Sequence, residues 1–295
     1  MLYKEVHKKW RVNKMMSFTP KTLSELHASL AQLTPQSKII SGGTDLIINM
    51  NSGEITPDAL LYMGNVPELK KIEQVGDTVE IGAAVTMTEL ENSPILQGKL
   101  QAIVDGAKDV GSQQIRNNGT IGGNIGTASP AGDFIPILFM LDAVIVIANS
   151  EGTFKELPIK EVILGPGKTC IDYNEAIVKI KIKIPESPNY KSAFVKLGSR
   201  SKVTISRIGV TMGLEIEDHK ITKAKVVIGA ITPTPVNFEK AEKAMIGRVI
   251  DKDLKDEIGQ MLSDLIKEIS KSRSREYKAW AAKGVIEDVL DKFVA

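Results

Sequence analysis

The chain has 295 residues, 42% of them hydrophobic, with a mean hydropathy of −0.04 and a formal net charge of +2. That length suits about two globular domains with a sizeable core. The near-neutral balance gives no electrostatic reason to expect nucleic acid as a partner, and no apolar run is long enough to span a bilayer, so no membrane role is expected. Cys170 is the only cysteine. This excludes an intramolecular disulfide and any iron–sulfur cluster held by this chain alone, since such clusters take about four ligands.

Residues 1–15 form a basic leader, M-L-Y-K-E-V-H-K-K-W-R-V-N-K-M, with no apolar h-region and no small-residue cleavage site. It is not a secretory signal, and a cytoplasmic chain is expected. The leader reads either as an unstructured extension or as a docking arm for a partner subunit. From Thr22 the run T-L-S-E-L-H-A-S-L-A-Q-L sets apolar residues at helical spacing, with Thr22 placed to cap and Glu25 three residues later. Residues 37–40 then turn extended and β-branched, a glycine turn follows, and an apolar run resumes to Met50. Residues 60–63 and 79–83 read as short strands, with turns at Gly64-Asn65 and Gly76-Asp77. Residues 96–110 read as a helix that leads into a second glycine segment.

Residues 135–148 are strongly apolar and end in a turn at 149–152. Between 176 and 184 lysine alternates with isoleucine or valine, the period-two signature of a strand with one wet face. The P-E-S-P-N of 185–189 is the best linker, so the expected domains are 16–187 and 188–295. In the second, residues 205–217 and 221–230 read as strands joined at Asp218-His219, and 239–245, 253–270 and 277–293 as helices. A small sheet with helices makes that half α+β.

Two glycine-rich segments carry the chemistry. In S-G-G-T-D, Gly42 and Gly43 let the main chain curl around a phosphate, while Ser41 and Thr44 add hydroxyl donors. Alone, that pentapeptide is equally a plain turn between two elements. The second segment, I-R-N-N-G-T-I-G-G-N-I-G-T-A-S-P-A-G-D from Ile115 to Asp133, holds five glycines and three asparagines. That is too much backbone freedom and too many short polar groups for ordinary core. Thr120, Gly122, Gly123 and Asn124 suit a second anion nest, with Thr127 and Asp133 as polar neighbours. A carboxylate repels phosphate, so Asp133 pairs with a sugar or ribityl hydroxyl, or closes the loop as an Asx-type turn. Two such nests one subdomain apart suggest an extended ligand such as a dinucleotide.

Neither segment is the G-x-G-x-x-G that opens a helix in a βαβ unit, so a Rossmann reading fails. The G-P-G-K-T of 165–169 is no P-loop, because Val162 stands where such a loop needs its first glycine; it reads as a turn covering the ligand or facing a partner. His7, His27 and His219 are scattered without carboxylate or cysteine at ligand spacing, so no metal site is expected. Cys170 reads as a small core residue. Arg200, Lys202 and Arg207 form either a solvated face or a spot that attracts an anionic nicotinamide cofactor.

In order, S-G-G-T-D, I-R-N-x-G-T-I-G-G-N, S-P-A-G-D, G-P-G-K-T, S-A-F-V-K-L and I-G-A-I-T-P-T-P-V closely resemble the FAD-binding medium subunit of the molybdenum hydroxylases. Xanthine, nicotinate and carbon monoxide dehydrogenases are enzymes of that type, and the likeness runs from about Met16 onward, with G-P-G-K-T and I-T-P-T-P most like the xanthine dehydrogenases. The resemblance implies an α+β fold: two subdomains of the vanillyl-alcohol-oxidase (PCMH) type clamping FAD, followed by a small α+β domain with a three-stranded antiparallel sheet. It implies that Lys38, Ile39, Ile40, Ser41, Gly42, Gly43, Thr44 and Asp45 hold the diphosphate. Thr120, Ile121, Gly122, Gly123 and Asn124 would also bind the cofactor, with Thr127 and Asp133 close by and Ile177 and Lys196 approaching it from the start of the second half. The chain departs from relatives that carry an inserted four-cysteine loop.

By the same resemblance the partners are a molybdopterin-binding large subunit and a 2Fe–2S small subunit. Electrons pass from the molybdenum centre through the clusters to FAD here, then to NAD+ or another acceptor such as ferredoxin. No side chain of this chain is needed as general acid or base. Two other readings stay open: a stand-alone FAD oxidoreductase of the same superfamily, like the enolpyruvyl-sugar reductase, and a non-catalytic scaffold subunit.

Overall fold

The computed structural model describes residues 15–200 and 203–294. The basic leader, apart from Met15, and Lys202 of the arginine–lysine cluster therefore lie outside the described residues.

The chain opens with a small parallel sheet in the order β1-β3-β2. Strand β1 (Met16–Phe18) leads to helix α1 (Leu23–Leu30), β2 (Lys38–Ile40), helix α2 (Leu46–Asn51) and β3 (Ala59–Tyr62). Thr22 caps α1 as expected, its hydroxyl accepting from the Glu25 N–H at 3.1 Å. Glu25, however, accepts from the Lys21 N–H, one residue earlier than a capping box requires. Leu26, Leu30 and Leu61 form the dry side of this unit, and Val146, Ala148, Ala176 and Val178 of the next sheet complete its core.

That next sheet is antiparallel, five strands in the order β4-β5-β10-β6-β7. Strands β4 (Ile72–Val75) and β5 (Thr78–Gly82) make a hairpin through Gly76, whose φ of +63° suits glycine. Helix α3 (Met87–Asn92) follows, with a complete capping box between Thr86 and Glu89. The stretch read as one helix at 96–110 is shorter: helix α4 spans Gln101–Asp109, behind two 3₁₀ turns. Pro94 and Gly98, with its φ of +74°, prevent the helix from starting sooner. Helix α5 (Ile121–Thr127) and the wholly buried α6 (Phe134–Met140) lead to β6 (Val144–Asn149) and β7 (Phe154–Pro158). The hairpin of β8 (Ile163–Gly165) and β9 (Lys168–Thr169) carries the G-P-G-K-T, and β10 (Glu175–Lys183) closes the sheet. Its wet face is as read: Lys179 pairs with Glu80 and Lys181 with Glu156. Cys170 packs half-buried against this core.

The last unit has three long antiparallel strands, β11 (Tyr190–Leu197), β12 (Ile208–Glu217) and β13 (Lys220–Gly229), with the two-residue β14 (Val236–Asn237) added at one edge. Asp218 and His219 turn β12 into β13 with φ of +48° and +64°. Helices α7 (Glu239–Met245), α8 (Lys252–Ile269) and α9 (Arg275–Val294) cover one face, packing on Ile208, Val210, Met212 and Leu214. The other face lies on α4 and α6, where Phe194 and Val227 join the core of the five-stranded unit. Polar bonds stitch the same seam: Ser192 accepts from the Ala102 N–H, and Asp105 accepts from the Phe194 N–H and Lys292. No helix among the described residues is long and apolar enough to cross a membrane.

Thr211 lies in that seam, 0% exposed, and its hydroxyl has no partner among the described residues. A buried hydroxyl without a partner costs about 1–3 kcal/mol, which Thr211→Val removes without changing the shape. The expected result is a melting temperature about 2–4 °C higher per kcal/mol gained; a lower one in calorimetry shows that the hydroxyl is satisfied.

Candidate functional site

The two glycine segments meet. The turn Ser41–Thr44 leaves the edge strand β2 and enters α2, while the segment after Ser112 runs through one helical turn, Gln113–Arg116, to α5. At Gly42 a side chain has no room: a Cβ there would sit 1.9 Å from the carbonyl oxygen of Asn118. Thr44 comes in beside Gly119, its hydroxyl 3.6 Å from the place a Cβ would take there. Arg116 holds the second segment in shape, pairing with Glu91 at 3.1 Å and donating to the carbonyls of Val110 and Gly111.

The two loops differ in what they leave free. Among the described residues, no main-chain amide of Gly42, Gly43 or Thr44 donates to a protein acceptor, and Gly43 stands at φ +69°. Lys38, Ile39 and Ile40 are half-buried on β2, and Asp45 is exposed at the start of α2 with no capping bond from its side chain. In the second loop the amides are spent on the fold. Ile121 donates to Val85, Gly122 to Ala83, and Gly123 to the Thr120 hydroxyl that caps α5. The expectation that these amides form a second anion nest is therefore not met in that form.

The glycines divide in the same way. A Cβ on Gly122 would lie 2.7 Å from Ala83, so its bareness serves the docking of α5 on the segment after β5. A Cβ on Gly123 would meet only the Thr120 hydroxyl, and otherwise points into open space. The side-chain oxygen of Asn124 is buried without a partner, and it faces Gly132. Thr127 is exposed at the end of α5. Free donors on one loop and an orphaned acceptor on the other suit a ligand with both an anionic group and hydroxyl or N–H donors. FAD has that chemistry.

Asp133 and Lys196 form a separate constellation. The Lys196 ammonium donates to Asp133 at 2.7 Å and to the carbonyls of Asp109 and Thr204 at 2.7 and 3.2 Å. The second oxygen of Asp133 accepts from the Ser206 hydroxyl. The pair is dry, with side-chain exposures of 7% and 8%. Burial pushes the Asp133 carboxyl above its ordinary value, although Lys196 and Ser206 pull it down. Asp133 thus already has two protein partners in the role proposed for a sugar hydroxyl. Ser206 was not foreseen, since 73 residues separate it from Asp133 and no local pattern marks it. Beside Lys196 a cavity of about 290 Å³ opens, lined by Asp109, Gly198, Ser199, Arg200 and Thr204. Ile177 is buried in the core on β10, at the irregularity where the strand shifts register against β6.

The remaining motifs fall outside this constellation. The G-P-G-K-T is a hairpin end whose Gly167 N–H donates to Ala128, at the end of α5. Arg200 lines the cavity, whereas Arg207 turns away and lies over the Tyr277 ring, 5.2 Å from its centroid. Among the described residues no three His, Cys, Asp or Glu side chains gather as a metal site.

Residues 13–187 match the family described as the FAD binding domain in molybdopterin dehydrogenase, and 193–293 match the CO dehydrogenase flavoprotein C-terminal domain. The nicotinate dehydrogenase FAD-subunit of Eubacterium barkeri is 33% identical over 285 residues, covering 93% of this chain and 96% of that protein. The xanthine dehydrogenase FAD-binding subunit of Escherichia coli O157:H7 is 26% identical, covering 88% and 90%. A solved structure of carbon monoxide dehydrogenase from Hydrogenophaga pseudoflava superposes with a TM-score of 0.83 at 26% identity, covering 94% of this chain and 96% of that one.

Removing one partner of a buried ion pair costs about 3–5 kcal/mol, because the other charge is stranded. Lys196→Met should therefore lower the stability of the folded chain by that order, and Asp133→Asn in the same chain should restore part of it. The loss should shrink as the pH falls toward the raised Asp133 value, where the stranded carboxyl takes up a proton. Denaturant melts of Lys196→Met, Asp133→Asn and the double variant against pH decide this; additive losses would show that the two groups are not coupled.

Proposed function

Since the chain belongs to the FAD-binding medium subunits of the molybdenum hydroxylase family, we propose that it forms the flavin end of such an oxidoreductase. In this reading it receives electrons from a 2Fe–2S small subunit, fed by a molybdopterin-binding large subunit, and yields them to a soluble acceptor such as NAD+. FAD, when bound, supplies the redox chemistry that lets one-electron donors meet a two-electron acceptor. The chain binds the cofactor, orients it and excludes water.

The observation that carries this reading is the row of unspent amides at Gly42, Gly43 and Thr44, abutting the loop with the unpartnered Asn124 oxygen. We assign the stretch Lys38, Ile39, Ile40, Ser41, Gly42, Gly43, Thr44 and Asp45 to the diphosphate, which main-chain donors can approach where no side chain intervenes. Asn124 accepts from a cofactor hydroxyl or N–H, and Gly123 leaves the space for it. The Ile121 amide holds that loop on Val85, Thr120 pairs with Thr86, and the Gly122 amide holds it on Ala83; Thr127 stands at its open end. Ile177 gives an apolar wall. Asp133 and Lys196 fix the domain of residues 188–295 against the FAD-binding domain of residues 16–187, and so set the position of whatever lies between.

In this reading the task of the chain ends at electron transfer. The substrate is then chosen on the large subunit, and similarity to proteins named for nicotinate, xanthine and carbon monoxide leaves that choice with the partner.

Two measurements test the reading. Native purification should yield one complex with FAD, molybdenum and iron; FAD on an isolated chain that its own substrate reduces would overturn the subunit assignment. Separately, Gly123→Val should lose nearly all its flavin while melting within a few degrees of the FAD-free parent, and Asn124→Ala should bind FAD roughly tenfold more weakly, the worth of one good hydrogen bond. Full flavin occupancy in Gly123→Val would take that residue out of the site.

A further inference from the structure

The face of the C-terminal sheet away from the cofactor loops carries a surface that the proposed function leaves unused. Trp280 on α9 is 79% exposed, and Tyr277, one turn earlier, is exposed beside it with ring centroids 6.2 Å apart. Arg207 lies over the Tyr277 ring, and Ile205, two residues before it, is also 79% exposed. An indole and a large aliphatic left in water on one small surface are costly for a chain that stands alone. Tryptophan, tyrosine and arginine together are the residues in which binding energy concentrates when a partner covers them.

Cations that lack an ion-pair partner among the described residues lie along this surface. Exposed Lys271 and Arg273 precede α9, and the buried Lys278 donates to the Ala230 carbonyl at 2.7 Å. Burial, with the charge of Arg207 added, holds the Lys278 ammonium below its ordinary value. Among the described residues no carboxylate makes an ion pair with Arg207, Lys271, Arg273 or Lys278, and the nearby Glu276 is taken by Arg275 at 3.1 Å. A carboxylate brought here from outside meets Arg207, Lys271 and Arg273, which have no competing carboxylate, so the complementary surface is acidic with an apolar centre.

The placement narrows the partner. Ser206 turns to Asp133 on the side of α4 and α6, whereas its neighbour Arg207 turns to α9 on the opposite face of the sheet. A subunit that hands electrons to the cofactor has to approach the loops on the first side. The large subunit delivers its electrons through another chain and has no such need. Resting on the function proposed above, we propose that Tyr277, Trp280, Ile205 and Arg207 form the docking surface for an acidic face of the large subunit.

The experiment uses the complex purified from native cells and, beside it, the FAD-loaded isolated chain. Hydroxyl-radical oxidation is read at Trp280 and Tyr277 by mass spectrometry, and a carbodiimide joins the amine of Lys271 to any carboxylate in direct contact. Assembly should lower oxidation at Trp280 roughly fivefold or more, as for a residue at the dry centre of an interface, with cross-links to aspartate or glutamate of the large subunit. Trp280→Ala should keep its FAD and its melting temperature, yet retain the large subunit roughly tenfold less well. Equal oxidation of Trp280 in both samples overturns the docking surface while the complex itself stands. Cross-links only to the small subunit or to a second copy of this chain overturn the choice of partner. An eluate without a large chain removes the proposed function, and the docking surface with it.

Discussion

The candidate site depends on one steric condition: no atom stands at the Cβ position of residue 42. Two loops from different units, one leaving a parallel sheet and one entering α5, touch through main chain alone at Gly42 and Asn118. Any side chain at 42 would push the two loops apart, because its Cβ would sit 1.9 Å from the Asn118 carbonyl oxygen. The units are otherwise joined by a shared apolar core, in which Leu61 of the first meets Val146 and Val178 of the second. Apolar contact fixes how close the sheets come but has no directional demand. The glycine contact adds the direction, because only one relative placement lets Asn118 fill the notch.

A second junction, between Asp133 and Lys196, works by the opposite means. A dry ion pair is a poor source of net stability, since desolvating both charges costs about as much as their attraction returns. What it supplies is intolerance of displacement: Lys196 has three oxygen acceptors, Asp133 has two donors, and the partners come from α4, α6, β11 and the segment before β12. The raised Asp133 carboxyl means that the folded chain holds that proton more tightly than the unfolded chain does. Its contribution to stability therefore falls as pH rises from the ordinary carboxyl value through the raised one, and is constant above both.

Much of this was legible in the sequence where local rules dominate. The stretches read as helices at 239–245, 253–270 and 277–293 start within two residues of α7, α8 and α9, and lysine alternation marks the wet face of β10. The glycine segments stood out because composition alone marks them as unfit for core. Their division of labour did not, because Gly122 and Gly123 are identical in sequence and differ only in what stands opposite: Ala83 for one, open space for the other. The same holds for the amides, which are free in one loop and bonded to Val85 and Ala83 in the other. Ser206 and Asp105 take their roles from tertiary contacts across many residues, which no window of sequence contains.

Helix α2 shows how closely the first loop is tied to its surroundings. It has six residues, begins directly after the free amides, and buries none of its side chains, with Ile47 and Ile48 exposed. A helix so short gains little from its own hydrogen bonds, since nucleation consumes most of what propagation returns. At its start the support is a few contacts, where Gly43 accepts from Ile47 and Thr44 sits against Gly119, and at its end Ser52, Glu54 and Ile55 donate back to Ile48 and Asn49. A ligand that occupies the amides of Gly42, Gly43 and Thr44 adds bonds to the end of α2 that the protein itself leaves unsupported. Binding and the shape of the loop are then one equilibrium, and the ligand stabilises the folded arrangement by mass action. The steric notch at residue 42 sets where that ligand can lie; the weakness of α2 makes the loop depend on its being there.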